Sequence, residues 1–552
     1  MMKSFFSILL AIYLLCPPAV AVPTQGHRMM VATPTQLSAD IAQKIILKGG
    51  NVVDVAVAIG LTLAVTNPRH AALGGGGFAL IKMGKKPVEA LDFREVAPKK
   101  TNPEFFKNKN EKASLDGANA IGVPGFPAGL WAMHKKYGKL HWSLLFDEPI
   151  KLADKGFRVS GEWVERTDSV KDKFNTAGKK YFLNRRGLSY KPGQLLKQKQ
   201  LAKALKEMRN RGITPFYRGQ IGQDIVKTVQ SLGGVLSEDD LRHYKVRWLQ
   251  PITTEFKGKT VYLMPPPSSG GLIIAASLKM IEELKVDQQK PLSIAELHYL
   301  AEIMKINFRN RTLLADPDFH KNPTQIFLDQ EEIKKSVKLI SDDKVLKLDP
   351  VKVVSYKESP QTTHFTVLDA KGNAVALTVT LNTVFGSKVV SDKYGIALNN
   401  EMDDFTTRPG EPNFFGLVQG PANKVEPGKR PLSSMSPTLV SDKKDGKIVM
   451  ALGAPGGSRI ITGVLQTLYR VLAQDYNMDD AIQAPRIHHQ FLPRTLFVDE
   501  HRFAPETIEG LKKLGHEVEE SWHSKVNGVR VNKKGFLEAA FDSRAEGGAN
   551  GI

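Results

Sequence analysis

Hydrophobic and polar residues alternate with two different periods along this chain. Apolar residues recur at helical spacing over residues 36–47 and again over 51–65, with a glycine pair between the two segments. We therefore expect two consecutive helices. A run of four glycines at 74–77 follows and leads into an apolar segment at 78–83, which predicts a strand packed closely against its neighbours.

The middle and end of the chain predict different structure. Residues 120–350 favour helices, interrupted once by the extended stretch TTEFKGKTVYLMPPPSSGG. From residue 360 onward period-two alternation predominates, and one more helix is expected over 461–472. Strands at both ends with helices between them favour a layered α/β architecture. The pattern leaves the strand directions open.

The strand that begins within SPQTTHFTVLD starts with hydroxyl groups instead of core residues. Its alternation places Thr362 and His364 on one face, and Phe365 and Val367 on the other. Threonine is common in strands, so this motif alone is a weak sign of catalysis. Three polar, glycine-rich segments downstream strengthen the interpretation: LNNEMDDF, KRPLSSMSPT and LGAPGGSRI.

The composition is that of a soluble globular protein, with 41% hydrophobic and 24% charged residues among 552. The length allows two to four domains or one large continuous core. The net charge of +20 raises nucleic-acid binding as an alternative, but the lysines are scattered and no nucleic-acid motif accompanies them. We favour a basic, solvated surface, and attraction to an anionic envelope surface stays open.

The N-terminus predicts export. A lysine, a short apolar run and the small-residue pattern ending at Ala21 together indicate a cleaved signal peptide over residues 1–21. No later stretch approaches membrane-span length, so we expect no integral membrane segment in the mature protein. Cys16 is the only cysteine and lies inside this signal, and its lipid modification is a less favoured alternative. We expect a periplasmic protein, with secretion into the medium as the alternative.

Several motifs, taken together and in order, carry a family resemblance. GGNVVDVAVA, LGGGGF, LDFREVAP and MPPPSSGGL in the first half are joined by TTHFTVLD and the three downstream segments in the second. Together they resemble the γ-glutamyltransferases (γ-glutamyl transpeptidases, glutathione hydrolases) of the N-terminal-nucleophile hydrolase superfamily. The resemblance implies an α/β fold, a four-layer αββα sandwich, formed jointly by two subunits cut from one precursor.

The resemblance also implies how the precursor matures. The cut would fall between Gln361 and Thr362, giving a large subunit over 22–361 and a small catalytic subunit over 362–552. A threonine hydroxyl is a poor nucleophile, but a free α-amino group with a pKa near 8 can act as its general base. Only a residue at a new N-terminus carries both groups, so the cut would create the active site.

Residue roles follow from the same motif positions. Thr362 would attack the γ-glutamyl carbonyl to form an acyl-enzyme, and Thr380, on the next strand, would orient the Thr362 amino group and assist maturation. Gly456 and Gly457 would offer backbone N–H groups to the oxyanion. The substrate-binding residues implied by the resemblance are Arg94 for the α-carboxylate, Ser433 and Ser434 as hydroxyl donors, and Asn382, Glu401 and Asp404 for the α-ammonium.

The segment 408–431 resembles the family's substrate-covering loop. In several bacterial members of the family, a tyrosine of this loop hydrogen-bonds to the asparagine that corresponds to Asn382. This sequence has Phe415 in place of the tyrosine. The hydroxyl bond would be lost, although an aromatic cover would remain. We expect no metal and no organic cofactor, and we interpret the adjacent His488 and His489 as structural because adjacent residues on a strand point apart.

Three functions compete. The favoured one is hydrolysis of glutathione and related γ-glutamyl compounds, with transfer of the γ-glutamyl group to water, amino acids or dipeptides. A glutaryl or cephalosporin acylase, or an enzyme that cleaves poly-γ-glutamate, is the alternative within the superfamily. Glu401 and Asp404 favour a substrate with a free α-ammonium, for which a glutaryl acylase has less use. A non-catalytic envelope binding protein is the remaining alternative. We expect no nucleic-acid partner.

Overall fold

The structure is a computed structural model that describes residues 23–348 and 362–552. The predicted signal peptide over 1–21 and Gln361, on one side of the predicted cut, lie outside the described residues. Within the described residues the fold is built around two seven-stranded sheets in which all neighbouring strands are antiparallel. A three-stranded and a two-stranded sheet accompany them.

The strands are β1 (Thr24–Gly26), β2 (Met29–Thr33), β3 (Gly76–Lys82), β4 (Glu89–Phe93), β5 (Phe157–Arg158), β6 (Leu195–Leu196), β7 (Arg247–Leu249), β8 (Ile252–Phe256), β9 (Lys259–Leu263), β10 (Thr363–Asp369), β11 (Ala374–Thr380), β12 (Thr438–Asp442), β13 (Ile448–Gly453), β14 (Ile487–His488), β15 (Thr495–Asp499), β16 (Glu517–Ser521), β17 (Asn527–Val531), β18 (Leu537–Phe541) and β19 (Gly548–Gly551).

The α-helices are α1 (Gln36–Leu47), α2 (Val52–Thr66), α3 (Phe126–Tyr137), α4 (Asp147–Lys155), α5 (Gly161–Asp168), α6 (Thr176–Phe182), α7 (Lys199–Arg211), α8 (Thr214–Arg218), α9 (Gln220–Ser231), α10 (Glu238–His243), α11 (Gly270–Glu283), α12 (Ile294–Arg311), α13 (Gln325–Leu328), α14 (Gln330–Val337), α15 (Arg459–Ala473), α16 (Met478–Gln483) and α17 (Pro505–Lys513). Short 3₁₀ turns cover Ala118–Ala120, Trp142–Phe146, Lys171–Lys173, Val286–Gln288, Glu401–Asp404 and Pro421–Asn423.

Both large sheets combine strands from either side of residue 361. The first has the order β19-β2-β10-β11-β3-β4-β7, and the second has the order β1-β18-β17-β13-β12-β9-β8. Strand β10, which follows Thr362, is therefore an interior strand between β2 and β11. The predicted large and small subunits thus share each sheet.

Alternation along β10 and β11 explains the layering. Phe365 and Val367 join the core cluster that contains the apolar residues of α1 and α2, on the outer face of the first sheet. Leu368 and Ala376 belong instead to the cluster that holds the second sheet together with α11, α12 and α15. This arrangement is a four-layer αββα sandwich, and it confirms the predicted assignment of faces.

Local signals set the helix boundaries that sequence alone predicts. Asn51 caps α2 by accepting hydrogen bonds from the backbone N–H groups of Val53 and Asp54 at 2.9 and 3.0 Å. The Asp54 carboxylate in turn accepts from the Asn51 N–H at 3.0 Å, which completes a capping box. The predicted helices at 36–47, 51–65 and 461–472 are confirmed within one or two residues of their bounds.

Candidate active site

A small cavity of about 20 Å³ lies where β10 begins and β11 ends. We call it the Arg94 cavity. Ten of the residues predicted from the sequence line it together with Met435 and Ile460: Arg94, Thr362, Thr380, Asn382, Glu401, Asp404, Phe415, Ser433, Ser434 and Gly457. Gly456 precedes Gly457 in the chain but is not among the lining residues.

The hydroxyl groups of Thr362, just before β10, and Thr380, at the end of the neighbouring strand β11, face each other. Antiparallel pairing matches Thr363 with Val379, so Thr362 comes opposite Thr380. Their Oγ1 atoms lie 3.1 Å apart, within hydrogen-bond distance. The Asn382 N–H also donates to the Thr380 Oγ1 at 2.8 Å, which leaves the hydroxyl hydrogen of Thr380 available for Thr362. The contact places Thr380 where it can position the Thr362 hydroxyl, and its predicted action on the Thr362 amino group stays a prediction.

Thr362 has an unusual backbone conformation. Its φ is +88°, in the left-handed region that β-branched residues rarely adopt. Such a conformation costs on the order of 1–3 kcal/mol and persists only where the surroundings enforce it. Its side chain is buried, with 7% exposure of the residue. The strain is therefore located at the residue that the sequence identifies as the nucleophile.

The four glycines let β3 approach the strand that carries Thr380. A Cβ on Gly75 would lie 2.1 Å from the backbone oxygen of Thr380, and one on Gly77 would lie 2.1 Å from that of Thr378. Both distances are too short for a side chain at either position. The glycine run thus serves close packing beside the site, as the sequence suggested.

Arg94 forms ion pairs with both acids that were predicted to bind an ammonium group. Its guanidinium donates from Nη1 to Glu401 and from Nη2 to Asp404, the latter at 2.6 Å. Arg94 and Glu401 are almost completely buried. Burial alone would lower the pKa of Arg94, but the surrounding carboxylates raise it above its ordinary value. The site thus holds both signs of charge before any ligand enters it.

Glu95 is a third buried acid at this site, and the sequence analysis missed it. Its carboxylate lies 3.7 Å from Arg94 Nη1, and neither of its oxygens has a hydrogen-bond partner among the described residues. Burial raises the pKa of Glu95 to about 8, although Arg94 opposes the shift. Burial likewise raises the pKa of Glu401 well above its usual range. Only its adjacency to Arg94 in the LDFRE motif pointed to Glu95.

Arg311, at the end of α12, is a second missed residue. It donates from Nε to Ser269 at 3.0 Å, from Nη1 to the Gln419 side chain at 3.2 Å and from Nη2 to Ser434 at 3.5 Å. Burial lowers the pKa of Arg311 to about 10. Ser269 belongs to the PPPSSGG loop and also bonds to Ser433, because its N–H and its hydroxyl both donate to the Ser433 backbone oxygen at 2.8 Å. Arg311 therefore connects the serine pair to the covering loop.

Gly456 and Gly457 connect β13 to the N-terminus of α15. Their φ values are +126° and +57°, a conformation that glycine adopts without strain. The first N–H groups of a helix have no partner within the helix, and the helix dipole favours negative charge there. The position suits the predicted oxyanion site, since Gly457 also borders the cavity.

The covering loop is closed over the cavity. Phe415 is 4% exposed and packs so closely on Gly457 that a Cβ there would lie 2.2 Å from its ring. The Asn413 side chain donates to the Asp404 carboxylate at 3.0 Å, and the Phe414 N–H donates to Asp403 at 2.9 Å. Aromatic cover is thus present without a tyrosine hydroxyl.

Histidines near the site have structural partners. His364 is fully buried, bonds through Nδ1 to the Thr378 hydroxyl at 2.8 Å, and has a pKa lowered by burial to about 3. His488 contacts the side chains of Thr462 at 2.9 Å and Gln490 at 2.8 Å. Burial lowers the pKa of His488 as well, and the hydrogen bonds of both histidines hold neighbouring elements together.

One group in the described part of the chain has the composition of a metal site: His298, Glu302 and His516, with ligand atoms within 4.8 Å of one another. The two imidazoles bond to each other at 2.8 Å, and Glu302 accepts from Lys305 at 2.6 Å. The Lys305 ammonium already supplies a cation to the only carboxylate in the group. We therefore assign no metal to it, and absence of a cofactor stays a prediction.

The fold and site define the class first. A four-layer αββα sandwich is the architecture of the N-terminal-nucleophile hydrolases, and the solved structure of cephalosporin acylase from Bacillus halodurans has a similar fold. That structure matches with a TM-score of 0.86 over 97% of this chain and 98% of its own, at 23% identity. No described helix is long and apolar enough to cross a membrane.

Sequence comparison then gives the family. The model for gamma-glutamyltranspeptidase matches residues 38–552. The glutathione hydrolase proenzyme of Pseudomonas aeruginosa is 40% identical over 528 residues, which cover 94% of this chain and 93% of that protein. The crystal structure of Helicobacter pylori gamma-glutamyltranspeptidase matches at 35% identity and a TM-score of 0.55, over 60% of this chain and 95% of that chain. This chain belongs to the gamma-glutamyltranspeptidase family.

Proposed function

We propose that the chain is a precursor that cuts itself before Thr362 and then acts as a γ-glutamyl hydrolase and transferase on glutathione and related compounds. The observation that carries the proposal is the Arg94 cavity itself. It combines a strained threonine, paired with a second hydroxyl at 3.1 Å, with a buried arginine held between two carboxylates. The relative's name, glutathione hydrolase proenzyme, supports both parts of the proposal.

Maturation would use the same hydroxyl as catalysis. The Thr362 Oγ1 attacks the carbonyl carbon of residue 361, the peptide C–N bond breaks, and an ester forms. The hydroxyl proton passes to the nitrogen as the C–N bond breaks, which frees the α-amino group of Thr362. Water then hydrolyses the ester and restores the hydroxyl. The left-handed φ of +88° is relieved when the peptide bond is cut, so strain favours the reaction. The H. pylori chain corresponds to only 60% of this chain, which is consistent with a relative that exists as two chains.

Catalysis would then begin at the new N-terminus. The α-amino group of Thr362 takes the hydroxyl proton while Oγ1 attacks the γ-glutamyl carbonyl, and Thr380 keeps the hydroxyl oriented. Backbone N–H groups at Gly456 and Gly457 stabilise the oxyanion. The leaving amine takes the proton and departs. Water or a second amine then attacks the acyl-enzyme and restores the threonine.

A γ-glutamyl group fits the charges of the cavity. It carries one α-carboxylate and one α-ammonium, which match Arg94 on one side and Asn382, Glu401 and Asp404 on the other. Because a zwitterion has no net charge, it can replace the internal pairs of Arg94 without changing the net charge buried at the site. A glutaryl group lacks the ammonium and would leave the acids unpaired. The charge pattern therefore favours a γ-glutamyl substrate over a glutaryl one.

The test combines a denaturing gel, intact mass and turnover of a γ-glutamyl anilide beside its glutaryl analogue. Two fragments are expected, with Thr362 at the N-terminus of the smaller one. Thr362→Ala should give an uncut, inactive chain, while Thr363→Val, the matched neighbour on the same strand, should still be cut. An uncut wild-type chain that turns over the anilide would overturn the mechanism. Faster turnover of the glutaryl compound would favour the acylase instead.

We also propose that the protein is exported, with the periplasm as its location. The support is the sequence of residues 1–21 alone. Fractionation of expressing bacterial cells, with N-terminal sequencing of the large fragment, tests the proposal. A mature chain that begins after Ala21 in the periplasmic fraction is expected, and an unprocessed chain in the cytoplasm would contradict it.

A further inference from the structure

A second cavity, of about 40 Å³, adjoins Thr362. We call it the Arg69 cavity. Among the residues that the structure describes, Thr362 alone borders both cavities. The Arg69 cavity is formed by the segment after α2, by α5 and by the chain near the C-terminus, and its polar wall includes Asn67, Arg69, Glu162, Lys525 and Glu546. The proposed nucleophile thus lies between two polar cavities of different composition.

Three buried polar atoms at the Arg69 cavity have no hydrogen-bond partner within residues 23–348 and 362–552. They are the Asn67 Oδ1, the Arg69 Nε and the His70 Nδ1. The three residues follow one another closely after α2 and are 2%, 3% and 6% exposed. Buried polar groups are rarely left unpaired, because each costs on the order of 1–3 kcal/mol. Their concentration beside Thr362 indicates a place for a polar ligand.

The charged groups of this cavity are only loosely paired. The Arg69 Nη2 lies 3.4 Å from Glu546 and 3.9 Å from Glu162, while the Lys525 Nζ lies 3.8 Å from Glu162. Tight charge-assisted hydrogen bonds are about 2.7–2.9 Å long. Both cations therefore retain capacity to bind an anionic group, and the Arg69 Nε–H is a free donor for one. Asp542, a third acid in the lining, is paired with Arg486 and Arg544. A carboxylate would therefore be bound by the Arg69 Nε–H and the Lys525 ammonium.

We propose that the Arg69 cavity binds the carboxylate of the amine partner in the reaction, an amino acid or dipeptide that enters as acceptor or departs as leaving group. This inference rests on the proposed function. The γ-glutamyl group occupies the Arg94 cavity, so the amine must reach the acyl carbon from elsewhere. By microscopic reversibility, the departing and the attacking amine share one position. The Arg69 cavity is the polar space that borders Thr362 and is free for that purpose.

The transfer step balances without any further reactant. The neutral amine of the acceptor forms a C–N bond with the γ-carbonyl carbon, and the ester bond from that carbon to the Thr362 Oγ1 breaks. One amine proton passes through the α-amino group of Thr362 to its Oγ1. The Arg69 cavity takes no part in bond making. It anchors the far end of the acceptor and so places the amine beside the acyl carbon.

The first experiment needs only the wild-type enzyme. Transfer from a γ-glutamyl anilide is measured with glycylglycine and with glycylglycine amide, which differ only in the carboxylate. A buried charged hydrogen bond contributes about 1.5–3 kcal/mol, so the kcat/KM for the acid should exceed that for the amide by about ten-fold or more. Equal values for the two acceptors, with hydrolysis intact, would overturn the inference.

Variants then identify the residues that cause the preference for the acid acceptor over its amide. Arg69→Gln is expected to reduce the acid-to-amide ratio to near one, and Lys525→Gln to reduce it in part. Arg166→Gln is the matched control, because Arg166 is a neighbouring cation of Arg69 and Lys525 that does not line the cavity. It should retain the wild-type ratio. If Arg69→Gln folds poorly, the Lys525→Gln ratio decides in its place.

The possible results distinguish a failure of this inference from a failure of the proposed function on which it rests. A wild-type enzyme that does not turn over any γ-glutamyl anilide contradicts the proposed function as well. An active enzyme in which folded Arg69→Gln keeps the full acid-to-amide ratio contradicts the carboxylate subsite alone. A matching reduction of glutathione hydrolysis relative to anilide hydrolysis in Arg69→Gln would support a shared site for leaving and accepting amines.

Discussion

Replacing Thr380 with valine tests the hydroxyl pair most directly, because valine keeps the shape of threonine and removes one oxygen. Two contacts are lost: the 3.1 Å contact with the Thr362 Oγ1 and the 2.8 Å bond from the Asn382 N–H. Thr380 and Asn382 are both 2% exposed, so water cannot readily replace the missing oxygen. An unpaired buried N–H costs about 1–3 kcal/mol of folding free energy.

The kinetic effect has a similar size. If the same hydrogen bond orients the nucleophile in the transition state, its loss slows both self-cleavage and turnover by about 5- to 150-fold. A gel time course after synthesis measures cleavage, and anilide hydrolysis per cut molecule measures turnover. Thr380→Ser is the control, because it retains the hydroxyl and should recover most of both rates. Wild-type cleavage and turnover in a folded Thr380→Val protein would refute the positioning role.

Three further predictions concern the charges and the cover of the Arg94 cavity. Arg94→Lys should raise KM for the anilide more than it lowers kcat, because a lysine cannot hold two carboxylates with a planar fork; unchanged KM would contradict the carboxylate role. Glu95 gains a negative charge beside Arg94 as pH rises through about 8, so KM should rise above that pH, and Glu95→Gln should remove this dependence. Gly457→Ala should lower kcat/KM at least about ten-fold by displacing Phe415, whereas Gly446→Ala, at a similar φ of +66° in open space, should retain activity.

The strands around Thr362 could be predicted because their signal is local. Period-two alternation alone separates Phe365, which packs against the outer helices, from His364, whose ring lies against Gly453 between the two sheets. The two helices after residue 36 carry their own caps and periodicity, so their bounds were also predictable. Strand order was not, because it depends on pairings between segments hundreds of residues apart.

The residues of the site likewise fall into those that local sequence predicts and those that depend on contacts between distant segments. Motif positions pointed to Arg94 and Glu401 separately, but their ion pair joins residues 307 positions apart, and no local pattern encodes it. Arg311 ends a helix that is buried along most of its length, and it gains its importance only because the fold places Ser434 beside it. Glu95 lies within the LDFREVAP motif, but its lack of hydrogen-bond partners among the described residues becomes apparent only in the folded structure. The sequence therefore pointed to most of the residues that line the Arg94 cavity, but not to Glu95 and Arg311, which contact them.

The sharing of both sheets between the two sides of residue 361 has a consequence for refolding. In the uncut chain, β10 pairs with β2 and β12 pairs with β9 within one molecule. After the proposed cut, the same pairings must form between two separate chains, so refolding becomes second order and depends on protein concentration. The precursor should therefore refold from denaturant far better than the mature enzyme. Maturation would make the fold a kinetically trapped product, assembled once and not readily reassembled.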